Sequence, residues 1–332
     1  MVRLLQTRSR VSSLLLLSLP AFLLLQTVDA SLGDRLPEFR ECIQICGHEN
    51  CDANNDPTHI PLHHRLLLWT CAQECDYACQ HIITQQRRAA GQPTTQFHGK
   101  WPFTRILGIQ EPISVLFSLG NLWAHHRGLR KLRERVPASY RLRHYYILFA
   151  YFGIASWVAS AIFHTRDFIA TEQLDYFAAG ASILYGMYYT PVRVFRLDRP
   201  DRAGFVRVWT LFCCALYACH VAYLKLWRWN YTYNIAANVA VGMVHNLLWT
   251  YFSWKRWKET RQSWAIWPSM LVTWIMLVMS LELMDFPPLW GAVDAHSLWH
   301  LGTIGPTFLW YNFMTRDAQD DIARAGKKYE KT

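Results

Sequence analysis

Charge is what this chain has least of. Only 17% of its 332 residues are Asp, Glu, Lys or Arg, whereas a soluble domain carries nearer a quarter. That scarcity argues against an ordinary soluble domain. The net charge of +10, taken alone, suggests nucleic acid or a membrane surface. No basic stripe exists, however. Lys and Arg are spread between hydrophobic runs, and this excludes the nucleic-acid reading. Low-complexity runs and internal repeats are absent. An H-E-x-x-H motif is absent too, which excludes the common zinc-protease class.

Apolar residues make up 52% of the chain and aromatics 15%. Mean hydropathy is only +0.01, because polar loops dilute several long apolar runs. The first 30 residues read as a cleavable signal peptide. Arg3, Arg8 and Arg10 form a positive start, Val11 to Leu25 the apolar core, and Val28 and Ala30 the small residues before a cut at Ser31.

Residues 31 to about 105 are expected to form a small cysteine-rich lumenal domain. Cys42, Cys46, Cys51, Cys71, Cys75 and Cys79 fall within it. An even set in an exported segment implies disulfides, with fifteen connectivities open. The C-x3-C spacings put most of each trio on one helical face, so a helical hairpin stapled by three bridges is expected. Zinc is the rival reading there, disfavoured by an oxidising lumen. Cys213, Cys214 and Cys219 lie in an apolar run and read as packing residues.

Seven apolar stretches follow, each near the roughly 20 residues a bilayer core requires. They fall at about Ile106–Trp123, Tyr145–Phe163, Tyr176–Val194, Phe205–Leu226, Tyr233–Phe252, Trp264–Leu283 and Ala292–Phe313. The fold class is thus an all-α membrane protein, a seven-transmembrane helix bundle over residues 106–313 with residues 314–332 as a tail. Basic residues concentrate in alternate loops: Arg127 to Arg143, Arg193 to Arg207 and Lys255 to Arg261. The positive-inside rule puts those loops and the C-terminus in the cytosol and the N-terminal domain in the lumen. The sequon Asn230-Tyr231-Thr232 falls on the lumenal side and makes Asn230 a glycosylation candidate.

Ionisable residues inside spans are costly and by default raise a functional hypothesis. Ser160 and His164 share one helical face at the end of span two. Asp175 opens span three, and His296 and His300 share a face near the start of span seven. All five fall on the lumenal rim. Three imidazoles suit zinc with one position open for water, and such a site activates water near neutral pH. The Asp175 carboxylate is placed to carry protons, and the Ser160 hydroxyl to orient water or an oxyanion. His220 and His245 read instead as interhelical hydrogen-bonding residues. A hydrogen bond to one of the candidate ligand histidines is the reading for Asp294.

The pattern S-x3-H, Asp eleven residues later and H-x3-H in the last span resembles the CREST superfamily of membrane hydrolases, which includes alkaline ceramidases and adiponectin receptors. Nearly the whole mature chain is similar to the Per-one-like family, the post-GPI-attachment-to-proteins factor three group. The shared features are the signal peptide, Cys42 to Cys79, Phe163-His164-Thr165-Arg166-Asp167, Asp285-Phe286-Pro287-Pro288 and Asp294 to His300. This resemblance implies a GPI-specific phospholipase A2 of the Golgi or endoplasmic reticulum membrane, removing the sn-2 acyl chain from GPI-anchored proteins. It implies His164, His296 and His300 as ligands of Zn2+, with Ser160 and Asp175 as catalytic residues. The alternatives are a ceramidase-like lipid amidase and a non-catalytic seven-span lipid receptor or chaperone. Lys327 and Lys328 near the end resemble a retrieval signal with misplaced lysines, against the plainer reading of a solvated basic tail.

Overall fold

The computed structural model describes residues 31–51 and 60–329; the expected signal peptide lies outside the described residues. Among them there is no β-strand, and every regular element is helical.

The N-terminal domain begins with a single turn, α1 (Leu32–Arg35), followed by α2 (Pro37–Asn50), α3 (Leu62–Leu66) and α4 (Cys71–Ala89). Cysteines one turn apart on α4 face cysteines on α2 and just beyond its end, giving the rungs Cys42–Cys79, Cys46–Cys75 and Cys51–Cys71. This is the expected stapled hairpin, and its antiparallel course selects one of the fifteen pairings. Phe39, Ile83 and Phe97 close a small core beside the first rung. Thr70 and Gln73 cap α4 reciprocally, which satisfies two otherwise orphaned N–H groups.

Seven further helices form the bundle: α5 (Pro112–Arg135), α6 (Arg143–Thr165), α7 (Ile169–Val194), α8 (Ala203–Ala222), α9 (Tyr231–Thr260), α10 (Trp267–Met279) and α11 (Ala295–Tyr329). Contacts run α5–α6–α7–α9–α10–α11 and back to α5, closing a ring, while α8 packs outside on α7. The exposed Cys214 and Cys219 on α8 do not fill the packing role expected of them. That helix has a partner on one side only, and Cys213 alone turns inward.

Three helical stretches are long and apolar enough to cross a membrane: Arg143–Thr165, Pro200–Trp227 and Ser263–Glu282. The other four long helices of the seven expected spans carry His, Asn or charged side chains through or beside their apolar stretches, which lowers their hydropathy. The three apolar stretches mark a membrane protein.

The last helix runs on past Phe313 into the stretch expected to be the tail. α11 continues to Tyr329, and Met314, Asp317 and Ala318 are fully buried. Asp317 accepts from Nε and Nη2 of Arg193 at 2.6 Å each and from the Tyr146 hydroxyl at 3.2 Å. Asp321 and Asp320 pair with Arg196 and Arg256. What reads as a charged tail is therefore the charged half of a set of interhelical ion pairs.

Candidate metal centre at one end of the bundle

Backbone capping sets the position of the first histidine. The C-terminal carbonyls of α6 accept from the segment that leads into α5: Glu111 N–H donates to His164 O at 3.0 Å and Gln110 N–H to Thr165 O at 3.1 Å. Pro112 at the first helical position then starts α5, a position where its missing N–H costs nothing. The start of α5 is thus pinned to the end of α6, and the Glu111 carboxylate meets His164 Nδ1 at 2.7 Å. Lys100 supports the same carboxylate from behind, 3.6 Å from its other oxygen, and also pairs with Asp167.

The other two histidines are set by the start of α11. Asp294 Oδ1 accepts from Ser297 N–H at 2.8 Å, while the Ser297 hydroxyl accepts from Asp294 N–H at 3.0 Å. This cap fixes the first turn, so His296 and His300 project from one face a turn apart. Asp294 therefore holds the helix end; the contact expected between it and a ligand histidine is absent from its hydrogen bonds. His296 Nδ1 meets Glu282 at 2.8 Å, from the turn Ser280–Leu283 after α10. His300 Nδ1 meets the Ser118 hydroxyl at 3.1 Å and Ser114 O at 3.4 Å.

Each imidazole thus has an acceptor behind its Nδ1, so Nδ1 carries the proton and donates outward. That leaves a lone pair on every Nε2. The Nε2 atoms of His164 and His296 stand 3.3 Å apart, and one ring nitrogen of each of the three histidines lies within 4.8 Å of the others. Ring nitrogens facing one another at that range are joined by a shared proton or by a cation between them, and three imidazoles with acceptors behind their Nδ1 atoms are a donor set that suits zinc. His164 and His300 are buried, whereas 35% of the His296 side chain is exposed. The cluster therefore opens past His296.

Ser160 is buried, and its hydroxyl lies 3.0 Å from that of Ser118. It reaches His300 through this relay, as well as sharing a helix face with His164. Asp175, partly buried in the second turn of α7, lies within electrostatic range of His164, His296 and Glu111. All five residues singled out in the sequence stand at the end of the bundle that carries the N-terminal domain. Asp285 stands apart from the histidines: it accepts from Trp101 at 2.7 Å and Gln96 at 2.9 Å and ties the two parts of the molecule together. Asn230 caps α9, its Oδ1 accepting from Tyr233 N–H at 2.9 Å. His220 meets the Tyr233 hydroxyl at 3.4 Å, while His245 lies among Tyr189, Trp249 and Trp310.

Glu111, Glu282 and Ser118 are the members sequence reasoning missed. Glu282 had a usable signal, being the acidic residue inside the sixth apolar run. Glu111 stands just before Pro112 at the mouth of the first run, and a serine such as Ser118 gives no signal at all.

The N-terminal domain is docked firmly beside this cluster. Arg166, two residues after His164, donates to Leu67 O at 3.1 Å and to Gln73 at 2.8 Å. Its guanidinium stacks 3.5 Å from the centre of the Trp69 ring, and that of Arg105 lies 3.2 Å from the same ring centre.

Comparison with known proteins agrees with this picture along nearly the whole chain. The model of the Per1-like family matches residues 61–318. The protein PER1 homolog of Schizosaccharomyces pombe is 38% identical over 307 residues, covering 92% of each chain. The GPI-specific phospholipase A2-like PGAP3 of Xenopus laevis is 39% identical over 88% of this chain and 91% of its own. The human protein of the same description is 37% identical over 87% of this chain and 89% of its own. No solved structure matches the chain.

Proposed function

The chain belongs to the Per1-like family, and from that premise we propose that it is a zinc-dependent phospholipase A2 that removes the sn-2 acyl chain of GPI-anchored proteins during lipid remodelling. Relatives described as GPI-specific phospholipase A2-like support the substrate class. The observation that carries the chemistry is the convergence of His164, His296 and His300, each with its Nδ1 proton anchored from behind.

When bound, zinc supplies Lewis acidity toward an ester carbonyl and lowers the pKa of water to roughly 7. The chain's own residues do the rest. Glu111 and Glu282 fix the tautomer and aim of His164 and His296, and Ser118 does so for His300. Ser160 donates toward the oxygen on which charge develops as the acyl carbon is attacked. Asp175 takes the proton from the attacking water and passes it to the departing glycerol oxygen. One C–O bond forms to water oxygen, one breaks at sn-2, and the products are a fatty acid and a lyso-lipid. With the loop charges oriented as expected, this rim faces the lumen of the Golgi or endoplasmic reticulum, where GPI-anchored proteins reside. The docked N-terminal domain offers a recognition surface for a protein-linked glycolipid.

The test is the lipid composition of GPI anchors in cells whose only copy carries His296→Ala. Retention of the original sn-2 chain is expected, and unchanged removal overturns the proposal. Purified protein should hold stoichiometric zinc and release fatty acid from a GPI lipid. Zinc without turnover would instead favour a receptor or lipid chaperone.

A further inference from the structure

The opposite end of the bundle carries a second polar feature that the hydrolase reading does not use. A cavity of about 570 Å³ lies over α11 between the C-terminal end of α5 and the start of α10. Lys131, Arg135 and Arg316 line it, together with Asn312, Trp264 and Trp267. From His300 to Arg316 the helical rise is about 24 Å, so the cavity lies close to one hydrocarbon thickness away from the histidines.

Its cations differ from the others at this end. Arg193, Arg196 and Arg256 each hold an aspartate of α11. Lys131, Arg135 and Arg316 have no ion pair among the described residues, and the hydrogen bond shown for them is that of Lys131 to the Asn312 amide oxygen. Three positive side chains around one polar cavity leave an uncompensated field that favours an anion. A planar guanidinium forks onto two oxygens of a phosphate, and two guanidiniums are present here. The two indoles suit the polar–apolar boundary of a bilayer. Beyond Trp267, α10 presents Met270, Trp274 and Leu277 as an exposed apolar stripe leading away from the cavity, which fits acyl chains.

We propose that this cavity binds the phosphate-bearing headgroup of an anionic phospholipid in the leaflet opposite the histidine site. The orientation expected from loop charge makes that leaflet cytosolic, the side on which anionic lipids concentrate and basic pockets between helices take them. The positive-inside rule alone predicts cations at this end; it does not predict three of them turned onto one cavity while their neighbours are neutralised by aspartates.

The experiment uses the full chain in phosphatidylcholine nanodiscs containing a minor share of phosphatidylserine, with retained lipid counted by native mass spectrometry. Phosphatidylserine should be enriched over phosphatidylcholine on the unaltered protein. The pair Arg135→Ala and Arg316→Ala should cut that enrichment about tenfold, since each cation contributes several-fold near an anionic headgroup. Arg199→Ala with Arg207→Ala removes two exposed cations of the same end outside the cavity and should leave it unchanged. All four residues are exposed, and equal melting temperatures in phosphatidylcholine alone verify the fold. Absence of enrichment, or equal losses in both pairs, overturns the proposal. So does equal retention of the two lipids with inorganic phosphate held at the cavity, which would mark a small-anion site.

Discussion

Buried charge is handled in opposite ways at the two ends of this bundle. Far from the N-terminal domain, Arg193 and Asp317 satisfy each other through two bonds of 2.6 Å, and Tyr146 adds a third. At the histidine end, Glu111 and Glu282 stand behind the imidazoles, and the ring nitrogens in front face one another. The first arrangement is closed: its charges are spent on joining α7 to α11. The second leaves its best donor atoms uncommitted. That contrast separates a device for holding helices together from one for holding a ligand, although both lie on α11.

The largest expected effect comes from opening the closed end. Asp317→Ala leaves a buried guanidinium with no counter-charge, and removing one partner of such a pair costs roughly 3–5 kcal/mol. Denaturant unfolding of purified protein measures the loss. Zinc bound per folded molecule should be unchanged; a fall in metal affinity as large as the fall in stability would show that the two ends are not independent.

Glu111→Gln and Glu282→Gln act at the open end and should do the reverse. Replacing a carboxylate behind a ligand imidazole typically weakens metal binding about 10–100-fold, or roughly 1.4–2.7 kcal/mol. The amide can still accept from Nδ1, so unfolding should hardly move. Chelator competition reads the affinity directly, and an unchanged affinity would sink the role given to these carboxylates. Ser118→Ala should come next in size. It removes a bond to His300 and another to Ser160, for about 1 kcal/mol of stability. A lower kcat at unaltered zinc content would separate the relay from simple packing.

The same contrast explains how much was legible in the sequence. His164, His296, His300 and Ser160 were readable because helical spacing brings them onto shared faces near helix ends, a local relation. The cysteine trios were readable for the same reason, and the pairing became definite only through the antiparallel course of α2 and α4. Glu111 meets His164 because α5 begins where α6 ends, a relation that no spacing in the chain announces. Asp317, Asp320 and Asp321 looked like part of a solvated tail because their arginines come from α7, the turn after it and α9. Asp294 was misread for a different reason: an aspartate two residues before a histidine also stands where a helix begins, and capping satisfies it locally.

The smallest expected effect concerns the N-terminal domain, where His98 closes a clasp between the hairpin and its following turn. His98 Nε2 lies 2.9 Å from Asp76 and Nδ1 3.4 Å from Asp34. The hydrogen bond to Asp76, aided by both negative charges, raises its pKa above the ordinary 6.5 against the opposing pull of burial. The charged imidazolium is thus the form that folding favours. Its contribution is complete below 6.5, the unfolded value, and is lost as pH rises through the higher folded one. With 58% of the His98 side chain exposed, solvent screens the pair and the effect stays well below those of the buried sites. Hydrogen exchange at the amides of His98 and Gly99, whose N–H groups donate to Asp34 and Ser31, should quicken more steeply across this range than the intrinsic base-catalysed rate. His98→Asn should flatten that excess while leaving metal binding at the histidine cluster unchanged. An excess that persists in the variant would assign the pH response to another group and leave the clasp without a titratable part.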